Sequence, residues 1–411
     1  MNRYFLTTTF IAISRLFGAL LVTGNTYLIN NFFNEKILGE FAFFLSVITI
    51  SSFFVNRGRS DFIVKFSNAF DFNDSKIFLR ASLFKVFSGS FYVASVVFIL
   101  VFYKIFTEFS NFDIMSLSIL FFIGIFLYSI MQLVTEFYRG KFNYYVYVFF
   151  GIISTNLFLL IFLLSQSFLG FNLHPVKLLI MALIITILGL LFFYRLIGFG
   201  EGNKLGNNPD KNDIKLFFYS GMIYLLGENF AYLYGSFFHN YEFVGQYYIV
   251  VKISMIFTII FSALNSYLEP QISSFFIKRD FRSIFSLYKS TKRYYFLVIF
   301  PMVTYFFFGK EINSYFSNDE YFIQLVFYSV LIIGIKYILA SFLGPCEVIL
   351  KMTDKLKAYT VIQFISFFFL LLISKHFISA YGLLGLVISI SLYQILISFL
   401  SYLIYIRSYT K

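Results

Sequence analysis

Three basic residues lie where water should be scarce. Arg15, Lys252 and Lys336 each sit well inside a long apolar stretch, and Glu228, in YLLGENFAYLYG, is the one acid clearly in a comparable position. A charge held in hydrocarbon costs at least about 2.5 kcal/mol, so each of these groups needs a partner or a wet cavity. Together they could hold an anion, bind a proton or a sodium ion, or pair with one another for structure alone. Ser254, Thr258, Ser262 and Asn265 follow Lys252 along the same run at mutual spacings of three or four, which reads as one polar helix face shared with the lysine. Arg57 and Arg59 stand just past the end of an apolar run. There they either meet an anion at the mouth of a cavity or anchor the chain at a membrane surface.

The elements that must position these groups are membrane helices. The chain has 411 residues, of which 59% are hydrophobic and 13% charged, with a mean hydropathy of +0.82. A soluble domain is about 45–50% apolar and about 25% charged. Runs such as FYVASVVFILVFY carry no charge, and a helix of about 20 apolar residues spans the hydrocarbon core. A β-barrel would show short alternating segments instead. The expected fold is therefore all-α and polytopic, with about twelve spans near 5–29, 38–56, 81–104, 114–137, 143–167, 176–198, 215–238, 244–268, 294–309, 321–344, 358–376 and 383–406. The polar stretch GEGNKLGNNPDKND divides them. It implies an N-terminal six-helix bundle over 1–199, a cytoplasmic linker over 200–213 and a C-terminal six-helix bundle over 214–411.

Charge gives these spans a direction. With the N-terminus in the cytoplasm, 24 of the 32 lysines and arginines fall in cytoplasmic segments, five fall outside, and three lie within spans. That bias follows the positive-inside rule and places both termini in the cytoplasm. It also accounts for the net charge of +12 without nucleic acid, because the charge is spread over loops. Arg15 interrupts the apolar core that a signal peptide would need, so the N-terminal segment reads as a first span. One cysteine, Cys346, allows no internal disulfide.

Several features bear on activity. No Gly-rich phosphate loop with its lysine and hydroxyl residue appears, which argues against ATP hydrolysis by this chain. His174, His239 and His376 lack ligand spacing, and no metal site or catalytic group is expected. Gly344-Pro345 should break the tenth span, while Pro270 reads as an ordinary helix stop at the end of the eighth. Glu136, Glu269 and Glu347 fall at helix ends near basic loops, where surface ion pairing is expected. Two six-helix halves, each with a basic residue in its first two helices, fit the plan of a secondary transporter.

Specific motifs sharpen this. ILGEFAFF at 37–44 with VNRGRSDFIVKF at 55–66, TEFYRGKFNYY at 135–145, NYEFVGQYYIVVKIS at 240–254, YLEPQIS at 267–273 and YGLLGLVISISLYQ at 381–394 together resemble the polysaccharide exporters. The resemblance covers the whole chain and points to O-antigen flippases of the multidrug/oligosaccharidyl-lipid/polysaccharide (MATE-like) superfamily. It implies transport of undecaprenyl-diphosphate-linked oligosaccharide across the bacterial inner membrane, from the cytoplasmic to the periplasmic leaflet. It further implies alternating access between the two bundles, coupled to an H+ or Na+ gradient, with no other cofactor. Membrane lipid, an O-antigen polymerase and a chain-length regulator would be partners. On that footing Arg15, Lys252, Lys336, Arg57 and Arg59 would form a cationic substrate cavity, with Thr258, Ser262 and Asn265 as polar lining and Glu228 as the ion-coupling group. An excess of cations over acids there would favour an anionic cargo over the cationic drugs of a multidrug exporter. A polymerase or ligase of the same pathway would need a large outer loop, and every expected outer connection is short.

Overall fold

The computed structural model describes residues 2–66, 72–108, 114–170, 173–196 and 211–409, and among them every regular element is helical. The helices are α1 (Asn2–Phe32), α2 (Glu35–Asn56), α3 (Arg59–Phe66), α4 (Phe72–Glu108), α5 (Ile114–Gly140), α6 (Tyr144–Val148), α7 (Ser154–Leu169) and α8 (Pro175–Leu196). They continue as α9 (Lys211–Glu228), α10 (Phe230–Phe238), α11 (Tyr241–Ile277), α12 (Phe281–Tyr295), α13 (Ile299–Ser314), α14 (Glu320–Leu343), α15 (Cys346–Met352) and α16 (Leu356–Tyr409). A π-helical turn over Phe149–Ile153 joins α6 to α7, and a 3-10 turn over Phe296–Val298 joins α12 to α13.

Each expected span has a helical counterpart, taken in order as α1, α2, α4, α5, α6–α7, α8, α9–α10, α11, α13 and α14, with the last two inside α16. Nine helical segments among the described residues are long and apolar enough to cross a membrane, α16 counting as one. The expected linker, 200–213, lies mostly outside the described residues.

Local chemistry sets many of the helix ends. Asn34 caps α2 by accepting from the Ile37 amide, and Arg57 ends that helix in the left-handed region at φ 49°, leaving the last carbonyls capped. Asp280 caps α12 by accepting from the Ser283 amide, which satisfies one of the orphan donors of a helix start.

α16 holds 54 residues, which at about 1.5 Å each would make a rod near 80 Å. The hydrocarbon core is about 30 Å thick. Gly382 resolves this with φ 54° and ψ −125°, a non-helical conformation that glycine adopts without the Cβ penalty. A Cβ on Gly385 would overlap the carbonyl of Phe377. Eight residues of straight helix would separate the two by about 12 Å, so the chain reverses here into two antiparallel spans.

One helix end was misplaced by sequence reasoning. Pro270 does not stop α11, which runs through it to Ile277. Its ring nitrogen cannot donate to the carbonyl of Ser266 four residues earlier, and such breaks persist where neighbours re-satisfy the freed group. Ser266 is the residue at which the Arg15 guanidinium docks, its Nη2 donating to Ser266 Oγ at 2.6 Å. Gly344, at φ 73°, and Pro345 do end α14 as expected.

The chain folds into two compact units. The first comprises Met1–Ala19, Ile223–Ala231 and Gln246–Lys411, and the second Leu20–Met222 with Tyr232–Gly245. In the first, α14 and α15 pack on α16 and α13 packs on α14. Its core includes Phe257, Val326, Val330, Leu386 and Tyr393, all fully buried. In the second, α5 packs against α2, α3, α4 and α8, and α7 against α8. There the backbones of α2 and the start of α11 meet at two glycines. A Cβ on Gly39 would overlap the carbonyl of Tyr241, and one on Gly245 the carbonyl of Glu35.

Candidate functional site

The first unit encloses a cavity of about 350 Å³, within the range of small-ligand sites. Several helices supply its walls. Tyr224 and Glu228 come from α9, Thr258, Phe261, Ser262 and Asn265 from α11, Lys336 and Tyr337 from α14, and Gln394 and Ser398 from the last span of α16. α15 adds Glu347. Thr258, Ser262 and Asn265 share one face, as expected.

Polar groups in this cavity form two short chains. Lys336 Nζ donates to Gln394 Oε1, and Gln394 Nε2 donates to Glu228 Oε1. The neutral amide thus stands between a buried lysine and a carboxylate that would otherwise be left without a partner inside the protein. The lysine also rests 3.9 Å from the centroid of the Tyr337 ring, a cation–π contact. In the second chain, Ser398 Oγ donates to Glu347 Oε1.

The hydroxyls facing the cavity have a common orientation. Thr258 Oγ1 donates to the Met255 carbonyl at 2.8 Å and Ser262 Oγ to the Ile259 carbonyl at 3.1 Å. Each spends its only proton on its own helix, so its lone pairs are what it offers to the cavity. Tyr295, which is buried, donates its hydroxyl to Asn265 Oδ1 at 2.6 Å. That bond fixes the amide so that its NH2 points the other way.

The other candidate residues lie apart from this cavity. Lys252 does not line it, and its ammonium sits 4.5 Å from the Tyr248 ring centroid, four residues back on α11. The expectation of a shared face fails on helical arithmetic. At about 100° per residue, Lys252 falls roughly 110° round the helix from the arc of Thr258, Ser262 and Asn265. Arg15 belongs to the first unit but meets Ser266 rather than the cavity. Arg57 and Arg59 belong to the second unit. Arg57 is exposed at the end of α2, and Arg59 reaches the Asn56 carbonyl at 3.5 Å. Burial, followed by the Arg57 charge, lowers the Arg59 pKa, although a guanidinium stays charged throughout.

Sequence reasoning missed two lining residues that carry chemistry. Glu347 is not in a surface ion pair. The break at Gly344-Pro345 folds α15 back, which turns this carboxylate into the cavity. Gln394 lies in YGLLGLVISISLYQ, but a neutral amide leaves no mark in a count of charges. With Glu347 present, the lining holds two carboxylates and one lysine, the reverse of the expected excess of cations. Of the other two acids, Glu269 pairs with Lys351 at 3.4 Å and Glu136 with Arg139 at 2.5 Å. In the second unit His174 Nε2 lies 3.2 Å from Glu40 Oε2, both buried.

No protein-family model matches the chain. No curated protein matches it either. Solved structures do. A MOP superfamily transporter from Pyrococcus furiosus, described as having a binding pocket of reversed polarity, is similar at a TM-score of 0.78 and 11% identity, over 99% of this chain and 96% of that one. A mutant of the Vibrio cholerae MATE transporter VcmN is similar at 0.75 and 14%, over 100% and 99%. An outward-facing multidrug resistance MATE transporter of the MOP superfamily is similar at 0.73 and 12%, over 97% and 94%. The chain therefore has the fold of the MATE/MOP transporters and is a multi-pass membrane protein.

Proposed function

We propose that this chain is a transporter that flips undecaprenyl-diphosphate-linked O-antigen repeat units from the cytoplasmic to the periplasmic leaflet of a bacterial inner membrane. The observation that carries it is the cavity of the first unit, a polar chamber inside an apolar chain with the MATE/MOP fold. A polar cargo with a lipid tail needs such a chamber, because sugar hydroxyls and phosphates cannot cross hydrocarbon unaided. The motifs shared with polysaccharide exporters supply the cargo class. Both termini lie in the cytoplasm in this reading, and an O-antigen polymerase and chain-length regulator act on the product.

Transport proceeds by alternating access, driven by an H+ or Na+ gradient. Glu228 is the coupling group, because it is the acid joined through Gln394 to Lys336. A change in occupancy at the carboxylate is then felt by the lysine on another helix. The diphosphate is met by cations outside the cavity, for which Lys252, Arg15, Arg57 and Arg59 are the candidates.

A multidrug exporter of the same fold is the second reading, favoured by the carboxylates that outnumber the lysine in the cavity. Deleting the gene separates the two. The flippase reading expects loss of surface O-antigen with lipid-linked repeat units accumulating on the cytoplasmic face. Unchanged surface glycan with increased sensitivity to organic cations would establish the exporter instead. Lys252→Ala should reduce export at unchanged protein level, and wild-type export in that variant would remove the residue from the diphosphate path.

A further inference from the structure

We propose that the cavity of the first unit is a sugar subsite, which takes a hydroxyl-rich, uncharged portion of the cargo and excludes its diphosphate. This rests on the flippase reading and refines it.

The argument starts from which hydrogen-bonding roles remain open. Thr258 and Ser262 have given their protons to backbone carbonyls, so they present acceptors. Glu228 and Glu347 are acceptors when ionised; Gln394 donates to the first, and Ser398 and Tyr359 bond the second. The lysine that would favour an anion is already engaged by Gln394 and the Tyr337 ring. The chamber is therefore rich in acceptors, with the Asn265 NH2 as an amide donor set among them.

A diphosphate at neutral pH brings only acceptors and negative charge. Placed here it would face two carboxylates against one lysine, and acceptors buried without a donor are costly. An organic cation would bring charge without donors to the hydroxyls, and the open face of Tyr337 is already occupied by the protein's own ammonium. A sugar ring matches both surfaces. Its hydroxyls donate to the acceptors on α11, and its C–H face lies flat against aromatic rings, here Tyr224 and Phe261. The separation is sensible for a flippase, since one unit reads the glycan while cations elsewhere hold the phosphates.

The test uses the full-length protein in detergent and two probes. The first is the lipid-linked oligosaccharide extracted from the gene-deletion strain, and the second is undecaprenyl diphosphate without sugar. Binding is measured for the wild type, Asn265→Leu, Thr258→Val and Tyr224→Leu. Loss of one or two hydrogen bonds or a stacking face should weaken the glycosylated probe about tenfold while leaving the bare diphosphate unaffected. Retained diphosphate binding also shows that each variant is folded. Equal weakening of both probes would place the diphosphate in the cavity and overturn the proposal, as would unchanged binding of both in all three variants. Tetraphenylphosphonium binding that is lost in Glu347→Gln would overturn it in favour of a cation site. A deletion strain that accumulates no lipid-linked oligosaccharide would instead sink the flippase reading itself.

Discussion

Lys336 and Glu228 are joined without touching. Gln394 stands between them, accepting from the ammonium and donating to the carboxylate, so three helices of the first unit share one polar chain. An amide with both ends committed is a more exacting spacer than a water, because its donor and acceptor cannot exchange places without breaking both bonds.

Replacing Gln394 with Leu should leave a buried lysine and a carboxylate each short of a partner. The cost expected is about 1–3 kcal/mol, with export falling as well. A thermal melt reads the first effect directly. Cys346 is the only cysteine and is buried, so a thiol-reactive dye reports its exposure on unfolding. A melt equal to that of the wild type would show that the chain of bonds contributes nothing.

Glu228→Gln should uncouple transport from the ion gradient. In proteoliposomes the wild type should speed up when a proton or sodium gradient is imposed, and the variant should run at one rate with or without it. A variant that still responds in full would remove Glu228 from the coupling step.

Asp280, outside the spans, predicts a pH dependence of stability. Its carboxyl accepts from the Ser283 hydroxyl and amide, and these bonds, with Arg282 and Lys278 nearby, hold its pKa below the ordinary value of 3.8. A folded-state pKa below the unfolded one stabilises the fold at pH above the unfolded value, and that contribution fades as pH falls through the lowered pKa. Asp280→Ala should therefore lower the melting temperature at pH 7, and the gap to wild type should narrow on going to pH 3. A constant gap would mean that the carboxylate charge plays no part in the cap.

Gly39→Ala and Gly245→Ala should both destabilise the second unit, since the added methyl would overlap backbone that cannot step aside. Overpacking of this kind costs about 1–3 kcal/mol. Alanine at Gly170, where a Cβ meets nothing within 4 Å but φ is 70°, separates packing from conformational strain. If all three variants melt alike, close approach is not what the two glycines provide.

Most of the architecture was legible from the chain because hydrocarbon imposes its own length and charge rules. Every expected span found its helix, and Gly344-Pro345 broke α14 where expected. The site was harder to read. Thr258, Ser262 and Asn265 were placed together by spacing, whereas Lys252 was grouped with them although helical geometry turns it away. Glu347 was hidden by its position, since only the fold-back of α15 reveals that a residue near basic loops points inward. Gln394 was hidden by its chemistry, because a buried amide matters through its two neighbours, and those lie 58 and 166 residues away. Pro270 misled for a similar reason. Nothing next to it in sequence marks that α11 continues, and the contact one turn before it, Arg15 on the Ser266 hydroxyl, spans 251 residues.

The reversal at Gly382 limits what the connection between the last two spans can accept. Because the backbone at Gly385 presses against that at Phe377, the last two spans are joined with almost no slack. A protease, which needs a stretch of extended chain to grip, finds no such stretch between the two spans. The two spans therefore form one tight hairpin. An insertion tolerated in an ordinary loop would pry that hairpin apart.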